Sequence, residues 1–273
     1  PVHQRVFPSA GKLAVLKLLV RAQIQLERLY TALLQKAEEF DDVIKMGRTQ
    51  LQDAVPMTLG QEFGAYATTI GEDILRVEES RKLLLEVNLG ADRHWDKHQR
   101  AQGLRRSRLE ALAEVSGIPV LLSTNLIEAT WDTGAYVQTS GVLKRIAVKL
   151  SKICNDLRLL SSGPRTGINE INLPRLQPGS SIMPGKVNPV IPEVVSQVAF
   201  DIIGKDVTIT MAAEAGQLEL NVMEPIIAFS LSNGIHRLRQ AMRTLQDRCV
   251  SGITATRNAA AAWSRTASAS SRP

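Results

Sequence analysis

An all-α fold, a bundle of long helices, is what this sequence predicts, and three observations predict it. Apolar residues recur at helical spacing over long stretches. No run alternates apolar and polar residues as a half-buried strand would. The breaks between those stretches are few.

Taken in order, residues 13–40 place Leu13, Leu16, Leu19, Val20, Ile24, Leu26, Leu29 and Leu33 at helical intervals. A loop is expected over Gly47-Arg48-Thr49-Gln50-Leu51-Gln52-Asp53-Ala54-Val55-Pro56. A second helix is expected over about 58–87, with Glu72, Asp73, Arg76 and Glu79 on its wet face. A third is expected over about 125–160 and stops before Gly163-Pro164. Pro189 and Pro192 open a fourth, which runs to Gly204 or on to about Asn221. Pro225 breaks the pattern, and a last helix covers about 226–250. Such lengths exceed the roughly 11–12 residues of an average helix, and long amphipathic helices bury their stripes against one another in bundles. The run Val194-Val195-Ser196-Gln197-Val198-Ala199-Phe200 is apolar on more than one face, which predicts a homo-oligomer.

The net charge of +6 on 273 residues is unevenly placed. Residues 91–108 hold six basic and two acidic side chains, and Arg5, Arg265 and Arg272 add three more positive charges. The rest of the chain carries −1, so a nucleic-acid partner is not expected. No run of roughly 18 apolar residues is present, so no membrane span is expected. No signal peptide is read, and a cytoplasmic location is expected. Cys154 and Cys249 lie far apart on helical stretches and read as buried free thiols. His94 and His98 have one-face helical spacing, but no third ligand is indicated. No metal and no cofactor are expected.

The segment richest in chemistry is Gly179-Ser180-Ser181-Ile182-Met183-Pro184-Gly185-Lys186-Val187-Asn188-Pro189. Two hydroxyls follow a glycine, and a cation and a carboxamide follow at short spacing between two prolines. Those groups suit removal of a proton beside a carboxylate, where a base and charge stabilisation are both needed. Read on their own, Ser180 and Ser181 are also ordinary caps, Lys186 an ordinary surface lysine, and Thr49 and Gln50 ordinary loop residues.

The segment resembles the signature loop of the fumarase/aspartase superfamily. Four further motifs resemble the same family in order: 47–62, Leu126-Ile127-Glu128-Ala129-Thr130, Gly167-Ile168-Asn169-Glu170-Ile171-Asn172-Leu173-Pro174, and Glu219-Leu220-Asn221-Val222-Met223-Glu224-Pro225. The resemblance covers about residues 6–90 and 109–258. It is strongest to the aspartase (aspartate ammonia-lyase) branch. Gln50 stands where fumarases usually carry His, and Pro189-Val190-Ile191-Pro192-Glu193 continues as aspartases do. The resemblance implies the central helical domain of that fold over 1–250, with a remnant of a C-terminal domain over 251–273. It implies reversible elimination of ammonia from L-aspartate to fumarate by a homotetramer. Ser180 would be the catalytic base, with Lys186, Asn188, Thr49 and Gln50 binding substrate. Ser123-Thr124-Asn125 resembles a substrate-binding triplet of the family, but its position reads as a helix N-terminus.

Three segments, 1–5, 91–108 and the tail after 258, break the family pattern. We read them as out-of-frame translations. Residues 92–108 admit a coding sequence whose neighbouring frame reads Ala-Thr-Ala-Ile-Gly-Thr, the continuation expected after Asn88-Leu89-Gly90. This reading fails if the other frames of the gene do not encode such motifs. It implies that a Ser-Thr-Asn triplet is lost and that turnover is impaired. Residues 91–108 show no periodicity, and no element is expected there. A fumarate hydratase or other carboxylate lyase, and a non-catalytic helical assembly subunit, are the alternative functions.

Overall fold

The structure, a computed structural model, describes residues 3–89, 99–177, 182, 183 and 186–256. Its elements are α1 (His3–Glu39), β1 (Ile44–Thr49), β2 (Gln52–Thr58), α2 (Leu59–Leu83), β3 (Glu86–Val87), α3 (Gln99–Ser116), β4 (Leu121–Leu122), α4 (Glu128–Trp131), α5 (Gly134–Leu160), β5 (Ile171–Asn172), α6 (Val190–Glu214), α7 (Glu224–Arg248) and β6 (Thr254–Ala255). The strands pair only two by two: β1 with β2 and β5 with β6 antiparallel, β3 with β4 parallel. The all-α, long-helix fold class predicted from the sequence is the one that forms.

The local departures have physical causes. The expected loop at 47–56 is a β-hairpin. It escapes the sequence pattern because its polarity is inverted: Lys45 is buried while Ile44 and Val55 are exposed. The helix expected over 125–160 is broken, with α4 ending at Trp131 and α5 starting at Gly134. Residues 99–108, for which no element was expected, lie in α3. Its Gln, Arg, Leu, Glu and Ala content favours helix although none of residues 107–116 is buried. The predicted start of α2 carries a capping box: Thr58 Oγ1 accepts from the Gln61 N–H at 3.0 Å, and Gln61 Oε1 accepts from the Thr58 N–H at 3.0 Å.

The chain divides into two compact units. Unit 1 comprises Pro1–Ile24, Asp73–Ile146 and Phe200–Leu238. Its core includes Leu19, Ile146, Ile202, Leu231 and Ile235. Several of the polar groups inside it are paired. Asp206 accepts from Ser140 Oγ at 2.7 Å and from Lys144 Nζ at 2.6 Å. Asp73, expected on the wet face of α2, is instead fully buried, where Arg145 Nε lies 2.8 Å from it. On α6, Phe200, Val207 and Met211 are all more than half exposed, and their spacing puts them on one helical face.

Unit 2 comprises Gln25–Glu72, Ala147–Ala199 and Arg239–Pro273. Leu26, Leu29, Leu33, Phe40, Phe63 and Leu150 are among its largest buried side chains, each stabilising the fold by roughly 1.5–3 kcal/mol. Phe63 meets Phe40 edge-on at 5.3 Å and Tyr66 at 5.7 Å. Gly60 lets the start of α2 touch the end of α1, since a Cβ there would lie 2.4 Å from the Ala37 carbonyl oxygen. Cys154 and Cys249 are buried free thiols in this unit, as expected.

Candidate active site

The hairpin of unit 2 is built to present its tip. Thr49 pairs with Gln52, so Gln50 and Leu51 form a two-residue turn with φ of 52° and 63°. Two left-handed residues are what a type I′ hairpin turn requires. Such turns usually place Asn or Gly there, and an L-residue in that region costs roughly 1–2 kcal/mol. Thr49, Gln50 and Leu51 are exposed.

Behind the tip lies a buried charge network. Glu170, almost entirely buried, accepts from Arg48 Nη1 at 2.7 Å through Oε1, and its Oε2 lies 3.0 Å from Lys45 Nζ. Lys45 also pairs with Glu62. Arg48 reaches across the hairpin to Asp53 at 3.8 Å. The Tyr66 hydroxyl lies 2.9 Å from Glu62 Oε1 and 3.0 Å from Asp156 Oδ2, and Lys152 pairs with Asp156. Burial, and then the charge of the two carboxylates, raises the Tyr66 phenol well above its usual range, so it stays a proton donor between them. Glu170 is itself fixed at the backbone: its N–H donates to the Leu160 carbonyl at 2.9 Å, and its carbonyl accepts from the Thr256 N–H at 2.9 Å. The turn before it needs Gly167, where a Cβ would fall 2.3 Å from the Ser162 carbonyl oxygen.

Of the predicted site residues, Thr49 and Gln50 sit together at the hairpin tip. Lys186, exposed, and Asn188, half-buried, lie on the segment leading into α6. The Lys186 N–H donates to the Met183 carbonyl at 3.2 Å, and the Asn188 carbonyl accepts from the Val190 N–H at 2.9 Å. Among the described residues no hydrogen bond or ion pair joins the hairpin pair to Lys186 or Asn188. Ser180 lies outside the described residues, as do His94 and His98. Among the described residues no group of three or more His, Cys, Asp or Glu side chains is arranged to hold a metal ion, and no helix is long and apolar enough to cross a membrane. Asn125 behaves as the cap its position suggests: its Oδ1 accepts from the N–H groups of Ile127 at 3.0 Å and Glu128 at 3.2 Å.

Sequence reasoning named the hairpin tip but not Lys45, Glu62, Tyr66 or Asp156 behind it. Glu170 and Arg48 were at hand within two quoted motifs, and Lys45, a charge between the apolar Ile44 and Met46, carried the available signal. A second buried set in unit 1 was also missed. Lys12, largely buried, donates to the Glu86 carbonyl at 2.8 Å. Burial lowers its pKa, against the raising effect of Glu86, Asp132, Glu128 and Glu224. Glu224 is buried and pushed up to about 7, chiefly by burial, with Lys12 opposing. Tyr136, raised by burial and then by Glu224, donates to the Pro8 carbonyl at 3.1 Å.

Similarity to known proteins agrees with this picture. The Lyase family pattern matches residues 5–204, and the chain belongs to that family. It is 57% identical over 249 residues to the aspartate ammonia-lyase of Helicobacter pylori, covering 91% of this chain and 53% of that protein. Among solved structures it resembles a fumarate lyase:delta crystallin from Brucella melitensis, with a TM-score of 0.88 and 53% identity over 95% of this chain and 58% of that one. A class II fumarase from Schistosoma mansoni superposes as well, with a TM-score of 0.87, but at 31% identity over 95% of this chain and 58% of that one. The chain spans about half the length of the curated relatives it matches.

Proposed function

We propose that this chain carries part of the active site of an aspartate ammonia-lyase, which eliminates ammonia reversibly from L-aspartate to give fumarate. The observation that carries the reading is the match to aspartate ammonia-lyases over nine-tenths of the chain. Membership of the Lyase family is consistent with it.

The chemistry is demanding because the proton removed lies beside a carboxylate. Its loss builds a second negative charge on that group, and the site must stabilise the charge while supplying a base. Ser180 is the base in this reading. A free hydroxyl is a weak base and needs donors or positive charge nearby to hold its alkoxide form. Lys186 supplies a point charge and Asn188 a carboxamide donor for the substrate carboxylate being loaded with charge. Thr49 and Gln50 contact the other carboxylate from the hairpin tip. The braced hairpin supports that role, since a substrate contact works only when its own geometry is fixed.

A homotetramer, with each site assembled from three subunits, completes the reading. The exposed apolar face of α6 in unit 1 is the kind of surface that another copy covers. The cytoplasm is the proposed location. Because the segments read as out of frame would contribute to the same site, we infer weak or absent turnover from this chain. The test is the ultraviolet absorbance of fumarate formed from L-aspartate, with malate in parallel. No more than slow release from aspartate agrees with the reading. Turnover near that of an intact aspartate ammonia-lyase overturns the inferred impairment. Turnover of malate in preference to aspartate overturns the assignment in favour of a hydratase.

A further inference from the structure

Unit 1 contains a cavity of about 490 Å³ that plays no part in the site above. It is walled by α1, the C-terminal half of α2 with Leu85 just past it, and residues 116–119 at and beyond the end of α3. Its volume falls within the roughly 300–1,000 Å³ of small-molecule sites. Leu16, Leu85, Ile118 and Pro119 give it apolar walls.

Its charged lining is lopsided. Lys17, Arg81 and Lys82 line it together with a single carboxylate, Glu78. That carboxylate is turned to an amide: Gln23 Nε2 donates to Glu78 Oε1 at 3.1 Å, and Arg81 Nη1 donates to Gln23 Oε1 at 2.9 Å. Gln23 thus stands between the acid and the guanidinium, and no described carboxylate lies within ion-pair distance of Lys17, Arg81 or Lys82. Arg81 Nε is in addition buried with no hydrogen-bond partner among the described residues. Two exposed lysines alone would be satisfied by water. A guanidinium fixed by Gln23 beside an apolar wall is different, because its position is already paid for and no described carboxylate contacts it.

We propose that this cavity binds a medium-chain monocarboxylate. The alkyl chain lies against Leu16, Leu85, Ile118 and Pro119, and the carboxylate lies among Lys17, Arg81 and Lys82. Apolar burial supplies the affinity, and the three cations decide the sign of the headgroup.

Isothermal titration calorimetry of the chain with butyrate, hexanoate, octanoate and octylamine tests this. Affinity should rise about fourfold for each added methylene, and octylamine should bind at least about tenfold more weakly than octanoate. Lys82→Glu, an exposed change, should weaken octanoate about tenfold. Ile118→Asp should remove the dependence on chain length, with circular dichroism showing that each variant remains folded. The proposal is overturned by no binding of octanoate, by affinity independent of chain length, by octylamine binding as well as octanoate, or by unchanged binding in folded Lys82→Glu.

Discussion

Two buried carboxylates show how differently one fold treats the same group. In unit 2, Glu170 touches two cations, Arg48 at 2.7 Å and Lys45 at 3.0 Å, and is fixed at its backbone on both sides. In unit 1, Glu224 is nearly as buried, yet no described cation lies within ion-pair distance, and Lys12 acts on it only through space. The first is a structural brace: its charge is compensated at contact distance, and it fixes the strand that leads to Thr49. The second is a charge held where charge is unwelcome, so its acidity moves instead. Burial alone does not define the role of an acid; the distance of its partner does.

The comparison breaks first at Glu170. Glu170→Ala leaves Arg48 and Lys45 without their shared partner and should cost about 3–5 kcal/mol. Urea unfolding measures it, and a loss below about 1 kcal/mol, the range of exposed pairs, would show that the network is not a brace.

A smaller, pH-graded effect is expected at Glu224. Its folded pKa lies above the ordinary value of 4.5, at about 7. The folded state therefore keeps a proton that the unfolded state releases as the pH rises past 4.5, so this residue takes stability away between about pH 4.5 and 7. Glu224→Gln should remove that loss. The variant's advantage should be absent below pH 4.5 and complete above about pH 7, as read from thermal unfolding across that interval. An advantage that is the same at all pH values would assign Glu224 an ordinary packing role.

The least effect is expected at the turn. Leu51→Gly relieves a left-handed residue and should raise stability by about 1 kcal/mol, measured by the same urea unfolding. A loss of stability would mean that the exposed Leu51 side chain contributes more than its backbone costs.

The helices were legible in the sequence because their apolar residues sit at intervals that only a helix brings to one face. The helix starts near Thr58 and at Pro189–Pro192 were equally readable. The hairpin was not, since its inward-facing position is Lys45 and its outward-facing ones include Ile44 and Val55. A pattern that expects apolar residues inside reads that segment backwards. Helix α3 was missed for the opposite reason: with nothing buried over 107–116, only propensity marks it. At the site, sequence pointed to the residues at the tip, because they stand in motifs. It could not show that Glu170 lies behind Arg48, because 122 residues separate them along the chain and only the fold brings them together.

The two cysteines have a practical consequence. They are the chain's only thiols, both are buried, and burial pushes Cys249 up to about 12 and Cys154 higher still. Neither forms appreciable thiolate while the fold is closed, and thiolate is the form that alkylating reagents attack. The protein therefore carries its own clock: the rate at which its thiols are alkylated counts how often unit 2 opens.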